Sequence, residues 1–246
     1  MRDTNVTQST FLKNLMKMTK RRFNFLFVVL GTLFWVTPGH SKPEKKVAEQ
    51  WLVAQAQLAP SPWHVAWLEW IRRDRNALLG GDGFLDLYRV SYGWRLSPHL
   101  TLTAGFGWID FKSTSDELRL HQFVFYQTTF SSLDLQLLNR TGLEQRFLEN
   151  DPQTLWRLRN RIQINWPQSQ LWSFSAYDEF FYSFSSHPKI VYGLNENRWG
   201  VGIRRKWKDW QAFIYWGEGF LEQPHQWLRF EWWQFQIQAH LKEVFF

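Results

Sequence analysis

Arg157, Arg159 and Arg161 stand at every second position of the run 156–167, WRLRNRIQINWP. Guanidinium groups on one face of an extended chain can do two kinds of chemistry. Met by carboxylates they cross-link a confined space, and left unmet they attract an anion. The same parity argument adds Arg89, Arg95, Arg119, Arg140, Arg146, Arg198, Arg204 and Lys206, with Asp134, Glu144 and Glu179 as the acids that could answer them. A lumen holding these groups is either plugged by ion pairs or forms a narrow basic conduit or pocket for an anionic solute.

Other chemistry is less well supported. Asp82, Asp110, Asp116, Glu117, Glu149, Asp151, Glu196, Glu218 and Glu222 fall near expected loops. They could hold divalent cations bridging lipopolysaccharide phosphates, but no calcium-loop spacing is present and solvated loop charge is the simpler reading. Ser185, Ser186 and His187 contain a nucleophile and a base, yet the sequence shows no third group to orient the histidine. Neighbouring strand residues point to opposite faces, so Glu179 is expected in the lumen and Asp178 near the rim. The 7 histidines show no metal-ligand spacing, and neither metal nor cofactor is expected.

These ladders need elements with period two, which are β-strands. Alternating segments bounded by turn residues predict strands over 50–58, 63–73, 84–95, 99–110, 118–130, 133–147, 154–166, 170–182, 197–207, 210–219 and 226–241. Short and longer connections alternate between them, as in bacterial outer-membrane barrels. Single-chain barrels of that kind have an even strand number, so either 50–58 is not a full wall strand, giving ten, or one strand is missed, giving twelve. Both termini are then expected towards the periplasm.

Alternation alone does not say which face meets water, but the aromatic residues do. Trp94, Trp166, Trp172, Trp207 and Trp210 flank the short turns, and Trp108, Trp156, Trp199, Trp216 and Trp227 lie near the longer loops. From Trp156 to Trp166 is roughly 33 Å along a strand, or about 23 Å along the membrane normal at 45° tilt. The apolar band of such barrels is about 25 Å tall and edged by aromatic girdles. Ladders such as Tyr88, Val90, Tyr92 and Trp94, or Trp233, Phe235, Ile237, Ala239 and Leu241, would overfill a small soluble barrel. The expected fold is therefore an all-β, closed, antiparallel up-and-down transmembrane β-barrel of 10–12 strands, with short periplasmic turns and longer extracellular loops.

The 246 residues carry a net charge of +7 and no cysteine, which excludes disulfides and thiolate metal sites. Residues 1–46 hold nine Lys/Arg and two Asp/Glu, so the remainder is neutral and a nucleic-acid surface is not expected. The basic Lys17, Lys20, Arg21 and Arg22 precede an apolar run at 23–36 and small residues at Gly39 and Ser41. That is the pattern of a cleaved Sec signal peptide. The expected organisation is residues 1–41 as extension plus signal, 42–49 as a short periplasmic segment, and 50–246 as the barrel. Phe246 ends a long aromatic strand and has the character of an outer-membrane assembly signal.

The order of YRVSYGWRLSPHLTLTAGFGW at 88–108, LNRTGLEQRF at 138–147, RLRNRIQINWP at 157–167, YDEFFYSF at 177–184 and NRWGVGIRRKW at 197–207 resembles a known family. It is the uncharacterised bacterial outer-membrane barrel family catalogued as domain of unknown function 2490. The resemblance implies a signal peptide, a barrel and the outer membrane, and no activity. The expectation is a monomeric barrel with a structural, binding or narrow anion-transport role. Its partners would be outer-membrane lipids, lipopolysaccharide and, during biogenesis, the barrel assembly machinery. The competing expectations are an outer-membrane lipid-modifying hydrolase, which needs Ser and His to converge at one rim, and a soluble periplasmic barrel.

Overall fold

The computed structural model describes residues 44–75, 83–112, 116–185, 187, 191–223 and 227–242. The expected leader, Ser186 and Phe246 lie outside the described residues. Eleven strands form the wall: β1 (Glu44–Ser61), β2 (His64–Arg75), β3 (Gly83–Arg95), β4 (Leu100–Phe111), β5 (Glu117–Phe130), β6 (Leu135–Leu148), β7 (Thr154–Pro167), β8 (Trp172–Ser183), β9 (Gly193–Lys206), β10 (Trp210–Glu222) and β11 (Trp227–Lys242). Each pairs antiparallel with its sequence neighbours, and β1 closes the barrel against β11 in parallel.

The eleven strands lie within the expected 10–12, and the odd number sets aside the argument for an even count of ten or twelve. An odd number of alternating strands leaves the first and last running the same way, so their ladder must be parallel. It runs unbroken from Glu44 opposite Trp227 to Ala59 opposite Lys242. A full ladder satisfies the backbone of both seam strands, which is what closure requires. The consequence is that β1 starts and β11 finishes at opposite ends of the barrel. The wall also begins at Glu44, ahead of the expected residue 50, and takes in most of the segment read as preceding it.

The two faces differ in kind. Tyr88, Val90, Tyr92 and Trp94 on β3, Phe106 and Trp108 on β4, and Trp233, Phe235, Ile237 and Leu241 on β11 are all exposed on the outside. Inside, two kinds of filling share the space. One arc is aromatic: Trp51, Tyr177, Phe213, Tyr215, Phe230 and Trp232 form a buried cluster, with the Trp51 and Trp232 rings stacked at 4.8 Å. The other arc, mainly on β3 and β5–β7, is charged.

Inward glycines make room for this filling. A Cβ on Gly217 would overlap the Trp232 ring, and one on Gly142 would overlap Phe123. The small residue on one strand is thus set by the large one beside it. Among the described residues no helix is long and apolar enough to cross a membrane, which has no bearing on crossing by strands.

Candidate functional site

Alternation carries each arginine of β7 inward, and neighbouring strands bring two glutamates to the same layer. Glu144 on β6 lies opposite Arg157, and Glu179 on β8 lies opposite Arg161. Glu144 accepts from Arg157 Nε at 2.9 Å and from Arg159 Nη1 at 3.4 Å. Glu179 Oε1 accepts from Arg159 Nε and Arg140 Nη2, each at 2.7 Å. The Phe181 ring lies beneath the guanidinium carbons of Arg157, Arg159 and Arg198, at 4.6, 5.1 and 4.7 Å. The plane of charge therefore rests on an aromatic face as well as on carboxylates.

Further glutamates complete the set. Glu117 holds both Arg119 and Arg146, through Nε contacts of 2.5 and 2.6 Å. Glu49 accepts from Arg73 at 2.5 Å, from Arg75 at 3.2 Å and from the Trp51 indole at 2.9 Å. Glu69 accepts from Arg89 at 2.5 Å and from Gln55 at 2.9 Å. Glu196 pairs with Arg198 and lies 3.7 Å from Arg157. Most of these groups are buried, and a buried charge is tolerable only when paired and hydrogen-bonded.

The network divides the interior. A cavity of about 260 Å³ lies on the side of the Glu49, Glu196 and Arg146 clusters, towards the longer connections. A second, of about 810 Å³, lies towards the short turns and is lined by Gln55, Gln57, Gln163, Gln236, Trp67 and Tyr215, among others. Glu69, Arg140 and Arg161 line both and so stand between them.

Of the residues expected in the lumen, Arg89, Arg95, Arg119, Arg140, Glu144, Arg146, Arg157, Arg159, Arg161, Glu179, Arg198 and Arg204 each line one of these cavities or bond to a residue that does, whereas Lys206 is exposed at the end of β9. Asp134 does not join them. It sits exposed in the β5–β6 turn at φ 51°, a conformation that short polar side chains tolerate. Glu117 and Glu196, read as loop acids, belong to β5 and β9, because those strands start earlier than the sequence suggested. Glu49 falls ahead of the wall that the sequence predicts, and Glu69 in WLEWIRRDR lacks a clean alternation to mark its face. The available signal was parity, since Glu49 shares its phase with Trp51, Val53 and Gln55.

Asp178 lies mid-strand on the outer face rather than near a rim. Asn197 donates to it at 3.0 Å, and Asn160, Thr141 and Asn139 form a neighbouring hydrogen-bonded chain. Of the expected interface tryptophans, Trp94, Trp108, Trp172, Trp207 and Trp210 are exposed and Trp156, Trp199 and Trp216 partly so. Trp166 and Trp227 are buried at 9% and 6%.

Two histidine pairs bear on hydrolytic chemistry. His187 Nε2 lies 2.5 Å from Asp151 Oδ2, giving that loop histidine the carboxylate partner that the sequence did not reveal. Ser91 Oγ and His121 Nε2 are 2.8 Å apart, meeting across Gly105, with Glu144 opposite His121. Ser91 and His121 are 6% and 2% exposed and line neither of these two cavities. Among the described residues no group of three or more His, Asp or Glu is placed to hold a metal ion.

A closed up-and-down barrel with an apolar outside and an ion-paired inside defines the class of protein. The family model described as protein of unknown function (DUF2490) matches residues 48–227, and the chain belongs to that family. No curated protein matches the chain.

Proposed function

We propose that this protein is a bacterial outer-membrane barrel, exported through a cleaved signal peptide, whose interior binds rather than conducts. The observation that carries the reading is the inversion of its faces. Large apolar side chains cover the outside while arginines and glutamates are buried within. A soluble barrel does the reverse, and contiguous exposed apolar surface marks contact with a membrane or partner. The exposed Trp94, Trp172, Trp207 and Trp210 near the short turns suit a membrane–water boundary. The ion-pair layer of Glu69, Arg140, Glu179 and Arg159 across mid-lumen supports a barrel without a through-channel.

Cell fractionation with electrophoresis before and after boiling tests the location. The expected result is heat-modifiable protein in the outer-membrane fraction, and processed chain in the soluble periplasm would overturn it. Planar-bilayer recording of the purified barrel tests the closed interior. A flat baseline is expected, whereas steady conductance steps of porin size would contradict it.

A further inference from the structure

The two halves of the lumen are not balanced alike. Towards the longer connections, Arg73, Arg75, Arg119, Arg146, Arg157 and Arg198 each reach a glutamate. Towards the short turns the 810 Å³ cavity is lined by Arg95, Arg140, Arg161 and Arg204 and, among the described residues, by a single carboxylate, Glu69. That carboxylate is held by Arg89.

Arg161 stacks over Tyr177 at 3.6 Å and donates to the neutral Gln163 at 2.8 Å. Arg204 donates to Ser173 at 2.8 Å. Neither forms an ion pair among the described residues. Arg140 shares Glu179 with Arg159, and among the described residues its buried Nε has no hydrogen-bond partner. Arginine in a protein interior is ordinarily matched by a carboxylate, and the described lining of this cavity carries more guanidinium than carboxylate.

The rest of the wall says what else that anion carries. Gln55, Gln57, Gln163, Gln211, Gln236 and Gln238 present carboxamides to the cavity, and Trp67 stacks with Phe125 at 5.4 Å along one side. Carboxamides offer a donor and an acceptor side by side, which matches vicinal hydroxyls. Aromatic faces match the C–H faces of a sugar ring. The volume lies within the roughly 300–1,000 Å³ typical of small-ligand sites.

We infer that the cavity at the short-turn end is a binding site for an anionic saccharide, its carboxylate or phosphate held by Arg161 and Arg204 and its hydroxyls by the glutamines. The inference rests on the reading of a binding interior and names its ligand; it does not depend on the membrane location, which fractionation tests separately.

Titration calorimetry on the folded, detergent-purified full-length protein tests it, with glucose 6-phosphate, glucuronate, glucose and inorganic phosphate as probes. One or both charged sugars should bind at least tenfold more tightly than glucose and than inorganic phosphate. The source of the charge is read from which of the two wins. Arg161→Gln combined with Arg204→Gln should cost the charged sugar tenfold or more while the barrel stays heat-modifiable. Gln57→Ala with Gln238→Ala should weaken the charged sugar and leave inorganic phosphate unchanged, which keeps the test readable if the arginine variant does not fold. Equal affinity for glucose and the charged sugars, equal affinity for phosphate and the charged sugars, or no binding by any probe each overturns the inference.

Discussion

Glu144 is the residue on which most depends, because it answers Arg157 and Arg159 together and is 1% exposed. Breaking a buried pair costs about 3–5 kcal/mol, since the surviving charge is left uncompensated. Glu144→Gln should therefore lower stability by about that amount, measured as urea unfolding of barrel refolded into vesicles. Arg119 offers a contrast. Its glutamate partner, Glu117, retains Arg146 when Arg119 is replaced, so Arg119→Gln should cost clearly less than Glu144→Gln. Equal losses from the two would show that the network does not carry charge balance in the way its geometry implies. A steric prediction stands beside these. Gly217→Val should block refolding, because its side chain would overlap Trp232 and the Trp199 backbone, and wild-type folding yield would show that the rings repack.

The orientation of a strand is tested by placing charge on either face. Val90 on β3 lies opposite Leu68 and Phe106, with all three side chains exposed outside. An arginine at the lipid midplane costs roughly 2–4 kcal/mol, so Val90→Arg should reduce folding yield in vesicles far more than Arg161→Gln. Ile162 is the poorer site, because it faces Asp178 across the β7–β8 register and an arginine there gains a partner. If Val90→Arg folds like wild type and Arg161→Gln fails, the faces are reversed. The alternation in WRLRNRIQINWP made β7 and its inward arginines legible from sequence, as did YRVSYGW for β3. What was not legible was long-range or lay at strand ends. No local pattern reports that the first strand pairs in parallel with the last, and the charged start of β1 (EKKVAEQ) hid that Glu49 belongs to the wall. Half the carboxylates of the network were missed for that kind of reason: Glu49, Glu117 and Glu196 lie near the starts of their strands.

At the scale of the molecule, the parallel seam makes β1 both a staple and a charge donor. Deleting 44–61 would leave β2 and β11 with open edges and Arg73 without Glu49. Open edges are not tolerated in hydrocarbon. The truncated protein should be exported yet remain protease-sensitive, and a protease-resistant, heat-modifiable product would show that ten strands close without it. The central claim is that the apolar outside meets lipid while the charged inside does not, and the absence of cysteine from the sequence allows a direct measurement. Single cysteines at Val90, Phe106 and Phe235, and at Gln57, Gln163 and Gln238, can each carry a fluorophore in barrel folded into vesicles containing nitroxide-labelled acyl chains. Lipid quenching should be strong at the first three positions and weak at the second three. Equal quenching of the two sets, or stronger quenching at the glutamines, would contradict the account.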